Sequence, residues 1–139
     1  MFELDPTFLA TSSTLPALAL CEARLQLDAR FPWIVLIPRV EGAVELEDLS
    51  VEERAMLMAE IVVAGEAVRA IGAALGRPIE KLNVGQLGNV TRQLHVHVVG
   101  RRQDDPCWPG PVWGQGTPLT YDDNALEVAL AAAANALES

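Results

Sequence analysis

The hydrophobic and polar positions of this chain follow two periods, and the elements begin and end where the period changes. Apolar residues stand at Leu18, Leu20, Ala23, Leu25 and Leu27, with polar residues between the later ones, which predicts a strand over Cys21 to Leu27. Asp28-Ala29-Arg30-Phe31-Pro32 reads as a turn. Trp33-Ile34-Val35-Leu36-Ile37 is an unbroken apolar run closed by Pro38, so it predicts a buried strand forming a hairpin with the first. The period then changes to that of a helix. Leu57, Ile61, Ala64, Val68, Ile71 and Leu75 recur at spacings of four and three, one continuous apolar stripe. Ser50 and Glu53 have the spacing of a capping box at its start, and Gly76-Arg77-Pro78 ends it. Glu52, Glu53, Glu60, Glu66 and Arg69 are expected on the solvent side, and Met56 and Met58 near the core.

Period two returns in the second half. Ile79 to Val84 predicts a short strand, and Gly85-Gln86-Leu87-Gly88-Asn89 a loop. A strand from about Thr91 to Arg101 follows. In it Gln93, His95, His97 and Val99 share one face, and Leu94, Val96 and Val98 the other. At a rise of about 3.3 Å per residue, the two imidazoles stand roughly 6.6 Å apart along that face. Residues 102–116 are broken by glycine and proline and hold Trp108 and Trp113, which predicts a packed coil. Asp122 or Asp123 can cap a final helix with Leu126, Leu130, Ala133 and Leu137 on one face. Residues 1–14 read as a leading arm. Strands paired through hairpins under one long helix give an α+β class.

Composition narrows what the histidine face can serve. The chain has 139 residues, half of them apolar, and is expected to fold as a single domain over 1–139. A net charge of −9 argues against a nucleic-acid partner, which needs a basic face, but leaves room for a small anion held by neutral donors. The acidic start and the short apolar runs predict neither a secretory signal nor a membrane span. The two cysteines, Cys21 and Cys107, are expected to be free thiols in a cytoplasmic protein.

His95 and His97 are the only histidines, and the pattern leaves several chemistries open. A neutral imidazole can attack phosphorus while its second nitrogen is held by an acceptor, and the other imidazole can hold a phosphate oxygen or protonate a leaving group. An H-x-H strand can instead give two ligands to a metal, with Asp104, Asp105 and Cys107 as candidate completions. The pair can also be a hydrogen-bonded structural feature, or can bind a ligand without turnover. Glycines at 85 and 88 and asparagines at 83 and 89 would suit a phosphate, and equally a tight turn.

Gln93-Leu94-His95-Val96-His97-Val98-Val99 resembles the signature of the histidine triad (HIT) nucleotide hydrolases and transferases, His-φ-His-φ-His-φ-φ with φ apolar, in a bacterial form with Gln93 for the first histidine. Asn83-x-Gly85 through Gly88-Asn89 is similar to the family's loop before the triad, slightly shortened. Trp33 to Arg39 is similar to its apolar strand ending in Pro-[Arg/Lys], and Gly100-Arg101-Arg102-Gln103 followed by Trp108-Pro109-Gly110 to the C-terminal segment of its nucleoside-phosphoramidate branch. The resemblance covers about residues 18–114, with a C-terminal coil and helix over 102–139. It implies a HIT-like fold, an antiparallel sheet of about five strands with a long helix on one face and a C-terminal helix. It implies cleavage of a phosphoanhydride or phosphoramidate at a nucleoside α-phosphate, with His95 as nucleophile and His97 on phosphate oxygens or the leaving group. Gln93 would orient His95 through its backbone carbonyl. Asp28 would meet the ribose, and Asn83, Gly88, Asn89 and Trp108 the nucleotide. No metal or other cofactor is required, and the partners implied are a nucleotide substrate and a second copy of the chain. Gln93 removes any proton relay through the first histidine, and Asn89 and Val90 replace the usual Gln and hydroxyl residue. Altered leaving-group preference or low turnover would follow, and a nucleotide-binding protein with little catalysis is the alternative.

Overall fold

The computed structural model describes residues 1–139. Its order is α1 (Pro6–Thr11), β1 (Ser12–Thr14), β2 (Cys21–Gln26), β3 (Trp33–Pro38), α2 (Val51–Ala74), β4 (Lys81–Gly85), β5 (Val96–Arg101) and α3 (Asp123–Leu137), with one 3₁₀ turn at Leu46–Asp48. The five strands form one antiparallel sheet in the order β1-β2-β3-β5-β4. The α+β class and the central hairpin stand as expected.

Alternation sorts the side chains of this sheet onto two faces. Ala23, Leu25, Ile34, Leu36, Val96 and Val98 meet Leu57, Ala64, Val68 and Ile71 of α2 in the larger core. Gly100 sits at a close approach of this helix and the sheet: a Cβ there would lie 2.9 Å from Val68 and 2.7 Å from Ile79. α3 continues the core outward, burying Ala129, Ala133 and Leu137. The opposite face carries a smaller cluster of Phe8, Phe31, Trp33, Val35, Ile37, Val99 and Val112. That is the face of the histidines.

Both caps on the long helices behave as their residue types require. Ser50 accepts from the Glu53 N–H (3.1 Å) while Glu53 accepts from the Ser50 N–H (2.8 Å), and Asp122 caps α3 by accepting from Ala125. Beyond α2 the chain turns at Gly76 with a φ of 74°, a conformation open to glycine.

Four expectations are corrected. Residues 1–14 are not a bare arm: Asp5 caps α1 with Pro6 behind it, and β1 pairs with β2. Glu60 does not face solvent; its buried carboxylate accepts from the Leu20 and Cys21 N–H groups at 2.8 and 2.9 Å. Met56 and Met58 are exposed rather than near the core. The histidine strand begins at Val96, not Thr91. β4 ends opposite His97 and β3 last pairs with β5 at Val96, so residues 91–95 have no neighbouring strand, and Leu94 N–H donates to Ala43 instead.

Candidate active site

Although His95 lies just outside β5, its ring stays on the His97 side. The two imidazoles meet edge to face, 4.9 Å between centroids. Aromatic residues enclose them. Phe8 from α1 lies edge-on to His95 at 4.9 Å, Trp33 from β3 edge-on to His97 at 5.6 Å, and Trp113 from the C-terminal coil tilts over His97 at 5.7 Å. Gly85 admits that last ring, since a Cβ there would stand 2.8 Å from Trp113 Cη2.

Two hydrogen bonds fix the imidazole tautomers, and they fix them oppositely. His95 Nδ1 lies 2.7 Å from the Gln93 carbonyl oxygen, which can only accept, so Nδ1 carries the proton and the neutral ring has its lone pair on Nε2. His97 Nδ1 accepts from the indole N–H of Trp33 at 3.1 Å, and an indole N–H can only donate. His97, when neutral, therefore carries its proton on Nε2. Burial, with the neighbouring His95 second, pushes its pKa down to about 4, so this ring is uncharged at neutral pH. The site thus holds one imidazole with a free lone pair beside one with a free N–H.

Two clefts open on the pair. The first, about 480 Å³, runs between the histidines, the Leu87–Thr91 loop, Trp113 and Gly114. None of the main-chain N–H groups from Gly88 to Arg92 makes a hydrogen bond within the chain, so neutral donors stand beside the free N–H of His97. The second cleft, about 260 Å³, shares His97, Trp113 and Gly114 and extends over Gln26, Trp33 and the 114–118 loop. Trp113 lines both.

The expected site residues distribute unevenly. His95, His97, Gly88 and Asn89 come together at the first cleft. Gln93 offers its carbonyl to His95, but its side chain turns away to the N-terminal arm. Asn83 shares the histidine face yet accepts from Arg101 at 2.7 Å. Asp28 borders the second cleft with a carboxylate that is only 2% exposed and accepts from Arg30 and from the Leu119 N–H, so this structure does not present it to a ribose. Burial pushes that carboxyl up, but these bonds outweigh it and hold its pKa below the ordinary value. Trp108 lies outside both clefts, 5.6 Å under the Arg101 guanidinium. Arg101 is itself buried against Asp105 at 2.8 Å.

A metal reading gains nothing from the fold. Asp104 and Asp105 are bound to Arg102 and Arg101, and no three His, Cys, Asp or Glu side chains gather where an ion would sit. Cys21 and Cys107 are free thiols, and no helix is long and apolar enough to cross a membrane.

The sequence pattern does not single out Trp33, and it marks Trp113 only as packing of the coil. Trp33 lies across from Val99, diagonal to His97, a relation that exists only once β3 and β5 are in register. One signal was available: an indole at the start of a buried strand needs a partner for its N–H.

Comparison with known proteins shows the family and the fold. The HIT domain family matches residues 10–104. A histidine triad protein of Bradyrhizobium japonicum is 34% identical, with 98% of each chain covered and a TM-score of 0.90. One from Marinobacter aquaeolei is 36% identical over 99% of this chain and 97% of its own, TM-score 0.89. One from Sinorhizobium meliloti is 36% identical over 97% and 96%, TM-score 0.87. No curated protein matches the chain by sequence.

Proposed function

Because this chain belongs to the histidine triad family, whose members are generally nucleotide-binding hydrolases and transferases, we propose that it cleaves nucleotides at the α-phosphate through a nucleotidyl-histidine intermediate. The observation that carries this reading is the opposed pair of tautomers. His95 Nε2 supplies the lone pair that forms the bond to phosphorus, and the bond from phosphorus to the leaving group breaks with its electron pair. The imidazole becomes cationic, and the Gln93 carbonyl, 2.7 Å from Nδ1, stabilises that charge. His97 donates its Nε2–H to a phosphate oxygen, joined by main-chain N–H groups of the 88–92 loop. Water then attacks the phosphorus and loses a proton to the solvent, the imidazole leaves with its electron pair as the neutral ring, and a nucleoside monophosphate is released.

His97 serves here as a hydrogen-bond donor rather than as an acid. A neutral ring whose pKa lies at about 4 would have to become an imidazolate to give up its proton. Leaving groups that depart as stable anions are therefore favoured, which means phosphoanhydrides over phosphoramidates, whose amine needs a proton. The test is intact-protein mass spectrometry after brief incubation with a dinucleoside tetraphosphate or a nucleoside phosphoramidate. Quenching is alkaline, because a phosphorus–imidazole bond hydrolyses in acid. We expect an adduct of nucleotide mass, formed at least about tenfold faster from the anhydride. Absence of an adduct together with absence of turnover on both substrates would leave the nucleotide-binding alternative.

The same reading includes a homodimer. β4 is an edge strand, and Val84 on it is exposed beside an apolar hollow of about 280 Å³ lined with Leu57, Met58 and Ile61. Val51, Met58 and Val62 extend this apolar surface along the outer side of α2, each more than half exposed. A second copy would cover both features at once. Light scattering should give the mass of two chains, and Met58→Glu with Val62→Glu should give one. A monomeric mass for the unaltered protein at micromolar concentration would contradict it.

A further inference from the structure

Gln93 is where the chain departs from the His-φ-His-φ-His-φ-φ pattern, and its side chain has found other work. Oε1 accepts from the Asp5 N–H and Nε2 donates to the Glu3 carbonyl, both at 2.8 Å. These are the main-chain groups flanking Leu4, so the carboxamide pairs with the arm as a neighbouring strand would. An imidazole at this position also offers a donor and an acceptor, but its two nitrogens point apart, and only one could reach that segment. The arm is held again further on, where the Ser12 hydroxyl donates to the Phe8 carbonyl and accepts from Arg24 Nε. Between the two attachments lies Phe8, 5% exposed, with its ring edge-on to His95.

We propose that the Gln93 side chain is a positioning residue for His95. Its carboxamide fastens residues 3–5, which seats Phe8 against the imidazole and keeps the Gln93 carbonyl aligned with the Nδ1 proton. The N-terminal arm thereby becomes a wall of the active site. This rests on the reading of His95 as nucleophile.

A double-mutant cycle tests it, using the full chain and a dinucleoside tetraphosphate. Gln93→Ala and Phe8→Ala should each lower kcat about tenfold with KM changed less than about twofold, and the double variant should be no worse than the weaker single variant. Two readouts do not depend on which residue is the nucleophile. In Gln93→Ala, hydrogen exchange at the Asp5 amide should speed up at least about tenfold. The His95 ring signals should also shift more than those of His97, and with only two histidines the assignment is direct. Unchanged Asp5 exchange, or losses that multiply in the double variant, would overturn the proposal. If instead the Asp5 and His95 changes appear while His95→Ala still forms the adduct, the nucleophile assignment has failed and the fastening by Gln93 stands.

Discussion

His95→Ala should abolish the nucleotidyl adduct and lower turnover at least about a thousandfold, because no other side chain in the cleft offers a lone pair with its second nitrogen already held. The geometry gives reasons to expect a loss of that size. Gln93 O fixes the tautomer that leaves Nε2 free, Phe8 restricts the ring, and the unpaired main-chain donors of the 88–92 loop lie across the same cleft. His97→Gln should be milder, about ten- to a hundredfold, since an amide still donates to a phosphate oxygen. His95 is nearly buried, so alanine leaves a void beside Phe8; a circular-dichroism melt separates lost chemistry from lost fold. An adduct of undiminished yield in His95→Ala would place the nucleophile elsewhere.

The second large effect concerns stability against pH. His97 is held neutral, its pKa pushed down from 6.5 to about 4 by burial and by His95. Below pH 6.5 the unfolded chain takes up a proton that the folded chain refuses until about pH 4. Stability tied to this residue is therefore complete above about pH 6.5 and falls as the pH drops to about 4, by up to about 3 kcal/mol. Urea denaturation at steps between pH 7.5 and 4.5 should show this fall in the unaltered protein and a shallower one in His97→Gln. Trp33→Phe bears on the same group. The indole N–H bonds only the neutral form of His97, so its removal should raise the imidazole pKa, seen as a higher NMR titration midpoint. Equal slopes in the unaltered protein and His97→Gln would show that His97 is not the group held neutral.

Most of the elements could be read from residue pattern. The stripe from Leu57 to Leu75, the box at Ser50 and Glu53 and the apolar strand closed by Pro38 are signals within a few residues of one another, and local backbone physics answers to signals of that range. The histidine face was legible for the same reason, since period two alone put Gln93, His95 and His97 on one side. The length of that strand was not, because a strand runs only as far as its neighbours pair with it, and pairing stops at Val96 for β3 and at His97 for β4. Glu60 reads as a surface residue until Leu20 and Cys21, some forty positions away in the chain, bring it two N–H groups.

The site divides along the same line. Residue types and spacing determined by themselves that the chain's only two imidazoles share one face. The carbonyl expected to orient His95 is a near neighbour in the chain, whereas only the tertiary structure decided which nitrogen of His97 is free. That depends on an indole at Trp33, which stands 64 residues from His97. The tertiary structure also decided that Asp28 and Asn83 accept from Arg30 and Arg101, that Trp108 packs against the Arg101 guanidinium, and that Trp113 lines both clefts. Hydrogen-bond partners are chosen by proximity in space, and proximity between distant segments follows from sheet register and chain crossing, which no local pattern encodes.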